Sequence, residues 1–236
     1  MRQYLTFNGK NSKDYGVYIS GGGTFNAPRR SRDKINIPGR NGSLTIDNGR
    51  YDNISVEYPA FIYRDFDVNI SAFRNMLLAN RKYVRLEDSY HPDEFRMALY
   101  DGNFEADVVD NLSAGKFTLL FDCYPQRFLK SGEQEYEYTA AGSILNRTDQ
   151  IALPLLRVYG DGTVTINGVS IVISGSSTYT DIDCELMEAY KDTLTTNKNS
   201  TITLSNGKFP QLDPGSNAIT LSSVTKVIIT PRWWIL

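Results

Sequence analysis

Seven Asn-Gly or Asp-Gly pairs punctuate the 236-residue chain, at 8–9, 41–42, 48–49, 101–102, 161–162, 167–168 and 206–207. These dipeptides accept positive φ at the central positions of a type I′ turn, whose twist matches that of the strands it joins. A chain marked in this way is built for hairpins. Between the turns, apolar and polar residues alternate with a period of two over 53–58, 95–100, 116–123, 201–204 and 225–230, as in half-buried strands. Residues 163–166, Asn167-Gly168 and 169–173 read together as a two-residue hairpin. The expected fold is mostly β.

One stretch breaks the rhythm. Over 69–82, Ile70, Phe73, Met76, Leu77 and Ala79 fall at helical spacing, with Asn69 or Ser71 available as N-cap. A single helix there would lay one apolar stripe against a sheet; 184–190 has room for no more than a short helical turn. A boundary is expected near 130. Residues 1–130 carry 18 basic and 16 acidic side chains, whereas 131–236 carry 7 and 11 and are richer in Ser, Thr and Asn. Lys130-Ser131-Gly132-Glu133 forms a small polar joint after the strand that ends at Cys123-Tyr124-Pro125. Two domains follow, 1–130 with the helix and 131–236.

The residues that carry chemistry are sparse. The net charge of −2 gives no global field toward nucleic acid or an anionic membrane. The N-terminus lacks the apolar core of a signal peptide and no run of 18 apolar residues occurs, so the chain is expected to mature in the cytoplasm without a membrane partner. Cys123 and Cys184 cannot make a disulfide framework and read as buried free thiols. The one histidine, His91, sits before a proline in an acidic turn and reads as a loop residue. No zinc-ligand spacing, nucleophile elbow or phosphate loop is present; after Gly21-Gly22-Gly23, Asn26 stands where a glycine is required, so this is a flexible connection. Asp181 and Asp183 share a strand face with Glu185 nearby, which suits either a hard cation or a solvated surface. Arg29, Arg30, Arg32 and Lys34 form the densest basic run but lack interleaved aromatics, so a contact loop is favoured over sequence-specific nucleic acid. No constellation for catalysis, metal or cofactor binding stands out among these residues.

Several ordered motifs nevertheless resemble one family. Ile37-Pro38-Gly39-Arg40-Asn41-Gly42-Ser43-Leu44 resembles the Pro-Gly-Arg turn of siphophage distal tail proteins, and the spacing onward to Asn48-Gly49-Arg50-Tyr51 is also similar. Leu86-Glu87-Asp88-Ser89-Tyr90-His91-Pro92-Asp93-Glu94-Phe95-Arg96 and Phe121-Asp122-Cys123-Tyr124-Pro125 resemble later parts of that family's first domain. Leu153-Pro154-Leu155, Gly160, Asn167-Gly168, the run from Phe209 to Asn217, and Pro231-Arg232-Trp233-Trp234 continue the order to the end of the chain.

The resemblance implies a structural protein of the virion tail tip or baseplate, made in the host cytoplasm. Its first domain would be a β-sandwich or split barrel with one helix, closing as a homohexameric ring; its second would be a galectin-like β-sandwich. Such a ring joins the tail tube to the tail-associated fibre or lysin, and its further partners would be the tape measure protein and receptor-binding proteins. In that setting the segment 21–34 is a loop for subunit contacts, where Arg29, Arg30, Arg32 and Lys34 meet acidic groups of a neighbour or line the channel. Pro38, Gly39, Arg40, Trp233 and Trp234 are candidate structural anchors, with strand alternation sending the two tryptophans to opposite faces. A rival reading is a carbohydrate-binding adhesion module, drawing on 15 tyrosines and acting through the second domain.

Overall fold

The computed structural model describes residues 2–23, 25–109, 113–176 and 178–236. The chain divides into two compact units, Met1–Arg127 with Leu236, and Phe128–Ile235. Each buries its own apolar cluster.

In the first unit, antiparallel strands pair in the order Lys10–Asn11, Leu5–Phe7, Val84–Asp88, Glu94–Tyr100, Ala114–Cys123, Ile54–Ile62 and Val17–Ile19. Ile19 N donates to Gln3 O at 3.0 Å, in a bridge beside the Leu5–Phe7 strand, so the path of pairing returns on itself. A closed path leaves few strand edges unpaired. The Ile54–Ile62 strand shows how alternation builds the interior. Ile54, Val56, Tyr58, Ala60 and Ile62 all point inward, onto Phe7, Leu119 and Phe121 among others.

The helix runs over Phe66–Leu78, beginning and ending earlier than the expected 69–82. Neither Asn69 nor Ser71 caps it. Asp65 precedes its first turn with φ +55° and no side-chain cap bond, while Asn69 Nδ2 donates back to Asp65 O at 2.9 Å. Tertiary packing sets this start: a Cβ on Gly115 would lie 2.5 Å from Phe66 Cε2, so the ring of Phe66 occupies the space that a glycine leaves. Phe66, Phe73, Met76 and Leu77 are buried, but Ala79 lies at the C-cap and is exposed.

The second unit is a β-sandwich. One antiparallel sheet has the order Tyr136–Tyr138, Lys226–Thr230, Leu155–Tyr159, Tyr179–Asp183, Glu188–Lys191, Thr193–Asn197. The other runs Gly142–Asn146, Gly215–Ser222, Gly162–Ile166, Val169–Ile173, Ile202–Leu204. Leu156, Val158, Ile182, Val227 and Ile229 from the first meet Val164, Ile166, Ile171, Ile173 and Ile219 from the second. The Asn167-Gly168 hairpin forms as expected, with φ of +49° and +81° and Ile166 opposite Val169. Residues 184–187 make a turn between strands, and no helix forms over 184–190. Trp233 is 5% exposed within the core, whereas Trp234 is half-buried and donates Nε1–H to Ile151 O at 2.9 Å.

The first unit differs from expectation most clearly around residue 30. Arg30–Asn36 is a strand, not a loop, and pairs with Ser43–Tyr51 in a two-stranded sheet separate from the main one. The first strand contains a single apolar residue, Ile35, too few for a visible period. Its partner, 43–51, supplies the pairing.

Candidate functional site

This two-stranded ribbon leaves apolar residues uncovered by its own chain. Its register sets Ile35 opposite Leu44, Asp33 opposite Ile46, Lys34 opposite Thr45 and Arg32 opposite Asp47. Because paired and alternate residues share a face, Ile35, Leu44 and Ile46 lie together beside Asp33, while Arg32, Lys34, Thr45 and Asp47 take the opposite face. Ile35, Ile37, Leu44 and Ile46 are each 40–46% exposed. A two-stranded hairpin is marginal alone in water, and a contiguous exposed apolar face marks an interaction site.

The tip has a defined turn. Arg40 N donates to Ile37 O at 3.2 Å across Pro38 and Gly39, and Gly39 has φ +78°. Proline at the second position and a positive-φ glycine at the third make this a type II turn. Pro38 and Gly39 therefore form the turn at the ribbon end, and Arg40 follows it, exposed.

Electrostatics within the ribbon are largely internal. Arg30 Nε lies 3.0 Å from both carboxylate oxygens of Asp47, and Arg32 Nε approaches the same group at 3.9 Å. Arg30, followed by the Gly49 N–H, holds the Asp47 carboxyl below its ordinary value. Arg30 and Arg32 thus find an acidic partner on their own chain. Among the described residues Arg29, Lys34 and Arg40 make no ion pair.

The ribbon is held at its base. Asp52 N donates to Arg29 O at 2.9 Å, joining the two legs. Asn53 Nδ2 reaches both Tyr83 OH and Asp122 Oδ2 at 2.9 Å, and Tyr83 OH donates to Asp122. That bond, then burial, pushes the Tyr83 phenol up to about 12. On the other leg, Asn26 Nδ2 donates to Ser55 O at 3.0 Å and the Phe25 ring stands edge-on to His91. The apolar residues of the ribbon are what sequence reasoning missed. Their signal was the pair of alternations 35/37 and 44/46 flanking Pro38-Gly39-Arg40-Asn41-Gly42.

The other candidates resolve as structural groups. Asp181 and Asp183 are 1% and 2% exposed, so the solvated strand face is overturned. Arg157 donates Nε and Nη2 to Asp181 at 2.7 and 3.0 Å, and Arg232 clasps Asp183 through Nη1 and Nη2 at 2.8 and 2.7 Å. Paired in this way, neither carboxylate is left for a cation; no group of three metal-ligating side chains occurs among the described residues. His91 Nδ1 lies 3.1 Å from Asp88 Oδ1, and Asp88 also accepts from Tyr58 OH and the N–H groups of Tyr90 and His91. Cys123 and Cys184 are buried and free, and burial pushes both thiols up to about 12. Sugar stacking needs an open aromatic face. The Arg157 guanidinium stands 4.6 Å from the Tyr179 ring centroid, and Lys226 Nζ stands 4.8 Å from that of Tyr159.

No protein-family model and no curated protein matches the chain. Solved structures do. The Dit protein of phage SPP1, described as a paradigm of the hub adsorption apparatus in phages infecting Gram-positive hosts, is 17% identical and aligns with a TM-score of 0.72 over 97% of this chain and 98% of its own. Two structures of the phage P2 baseplate in its activated conformation, with Ca and with Sr, align with TM-scores of 0.50 and 0.51 at 9% and 10% identity. Both alignments cover 97% of this chain, and 97% and 98% of the respective baseplate chains. At these identities it is architecture that is shared: from end to end, this chain has the fold of the SPP1 Dit hub protein.

Proposed function

We propose that this chain is a structural component of a phage tail tip, a distal tail hub whose copies close into a hexameric ring. The observation that carries the reading is the ribbon, an uncovered apolar face on a fold shared over 97% of the chain with a hub adsorption protein. A closed ring needs a heterologous contact, in which one surface of each copy meets a different surface of the next. The ribbon supplies the first surface: Ile35, Ile37, Leu44 and Ile46 lose water against the neighbour. Arg29, Lys34 and Arg40 face the neighbour's acidic groups or the channel. The second unit, a sandwich of six- and five-stranded sheets, is the galectin-like part. The ring joins the tail tube and tape measure protein to the tail-associated fibre or lysin and to receptor-binding proteins at the virion tail tip. Its work is mechanical, without catalysis.

Light scattering on the purified full chain, across a concentration series at two salt levels, tests this. Six copies of a 26.6 kDa chain give about 160 kDa. A discrete species of that mass supports the ring; a strict monomer throughout overturns closure by the ribbon.

A further inference from the structure

Five of the seven turn pairs are Asn-Gly, at Asn8, Asn41, Asn48, Asn167 and Asn206. Besides shaping turns, this dipeptide carries a reaction of its own. The backbone nitrogen of the glycine attacks Cγ of the asparagine side chain, unhindered because glycine has no Cβ. An N–Cγ bond forms, the Cγ–Nδ2 bond breaks, and the amide nitrogen takes the proton from the glycine nitrogen and leaves as ammonia. Water then opens the cyclic imide at either carbonyl, giving aspartate or isoaspartate. No enzyme, oxidant or metal takes part. The reaction does require a side chain free to swing, a glycine N–H that is not engaged, and access to water.

The fold grants these conditions very unequally. Asn8 has φ +49° and donates Nδ2 to Asn80 Oδ1 at 2.8 Å. Asn167, also at φ +49°, is pinned at both ends: Nδ2 donates to Asn217 Oδ1 at 2.6 Å and Oδ1 accepts from Ala218 N at 3.0 Å. At Asn48 the attacking group itself is occupied, since Gly49 N donates to Asp47 Oδ1 at 2.8 Å, and the Asn48 amide reaches Ser31 Oγ at 3.4 Å. Asn206 is exposed but locked in a left-handed turn, with φ +58° followed by +65° at Gly207. Among the five, Asn41 alone combines these three conditions with a backbone outside the left-handed region. It is exposed at the ribbon tip and lies outside the set of positive-φ residues, and neither its amide nor Gly42 N–H has a hydrogen-bond partner among the described residues. A Cβ built on Gly42 would meet nothing within 4 Å, so the space around the reacting atoms is open.

We propose that Asn41 is a spontaneous modification site, converting by water alone to aspartate and isoaspartate while the other four Asn-Gly pairs of the folded chain are held back. The product places a carboxylate next to Arg40 or, in the isoaspartate form, lengthens the backbone by one carbon. Either change alters the tip of the surface described above, although the reaction itself does not depend on what that surface binds.

The test is peptide mapping by mass spectrometry of the full-length protein, incubated in mildly alkaline buffer, alongside a sample kept unfolded in denaturant. In the folded sample the peptide holding Asn41 gains the amide-to-acid mass increment several-fold faster than those holding the other four, with Asn206 next. In denaturant the five rates converge, because the fold is what separates them. Asn41→Gln removes the fast component and Asn48→Gln leaves it in place. Comparable rates at all five sites in the folded protein, or protection of Asn41 equal to that of Asn167, would overturn the proposal.

Discussion

Ile35 stands directly across from Leu44 in the ribbon register, and the two are 46% and 45% exposed. Cross-strand pairs of this kind hold sheets together when one face is dry. Here both side chains remain in water within the single chain, so their contribution to folding is small, and under the proposed ring closure they contribute mainly to assembly.

Replacing both, Ile35→Ser with Leu44→Ser, is therefore expected to separate assembly from stability. The unfolding free energy of the chain should move by about 0.5 kcal/mol or less, as for ordinary surface changes. Mass by light scattering should fall from the assembled value to 26.6 kDa. A double variant that still assembles fully would remove the ribbon from the contact.

The two adjacent tryptophans should behave differently. Trp233, 5% exposed in the sandwich core, should cost about 3–5 kcal/mol on replacement by alanine. Trp234→Ala loses a half-buried ring and one bond to Ile151 O, and should cost about 1 kcal/mol. Urea unfolding of the two variants measures the difference, and equal costs would contradict the burial.

Asp183 predicts an acid dependence with a definite sign. Burial pushes its carboxyl up, but the bonds from Arg232 and the N–H groups of Leu186 and Glu185 outweigh burial and leave it below its ordinary 3.8. A folded value below the unfolded one means that the ionised group stabilises. That stabilisation is complete above the ordinary value and is lost as pH falls through the folded one. Asp183→Asn should cost about 2 kcal/mol at neutral pH and flatten the loss of stability below about pH 4. Chemical denaturation at a series of pH values checks both; parallel curves for the two proteins would refute the assignment.

Gly132, in the small polar joint after the first unit, is a buried packing site. A Cβ there would lie 2.2 Å from Trp233 N, a backbone atom that cannot swing aside, and Gly132 O accepts from Arg232 N at 2.8 Å. Gly132→Ala should cost about 1–3 kcal/mol through forced displacement. An unchanged melting temperature would show that the backbone there yields freely.

Much of the architecture was legible from local signals. Turn dipeptides and period-two alternation identify hairpins because turn conformation and side-chain direction are set within a few residues. The Asn167-Gly168 hairpin and the strand ending at Cys123 follow directly from them, and the helix near residue 70 follows from apolar residues at helical spacing. The scarcity of histidine and cysteine also limited the available chemistry before any folding was considered.

Tertiary structure decided what depends on distant partners. The helix begins at Phe66 because Gly115, far along the chain, leaves room for its ring. Asp181 and Asp183 look like a solvated acidic face until Arg157 and Arg232 arrive from other segments and seal them from water. Arg30–Asn36 becomes a strand only through pairing with Ser43–Tyr51, which gathers apolar residues from both onto one face. Sequence determined where this chain turns and which residues alternate, since those are local properties of the backbone. Which faces end up dry, paired or left uncovered is a property of contacts between segments, and only the fold supplies them.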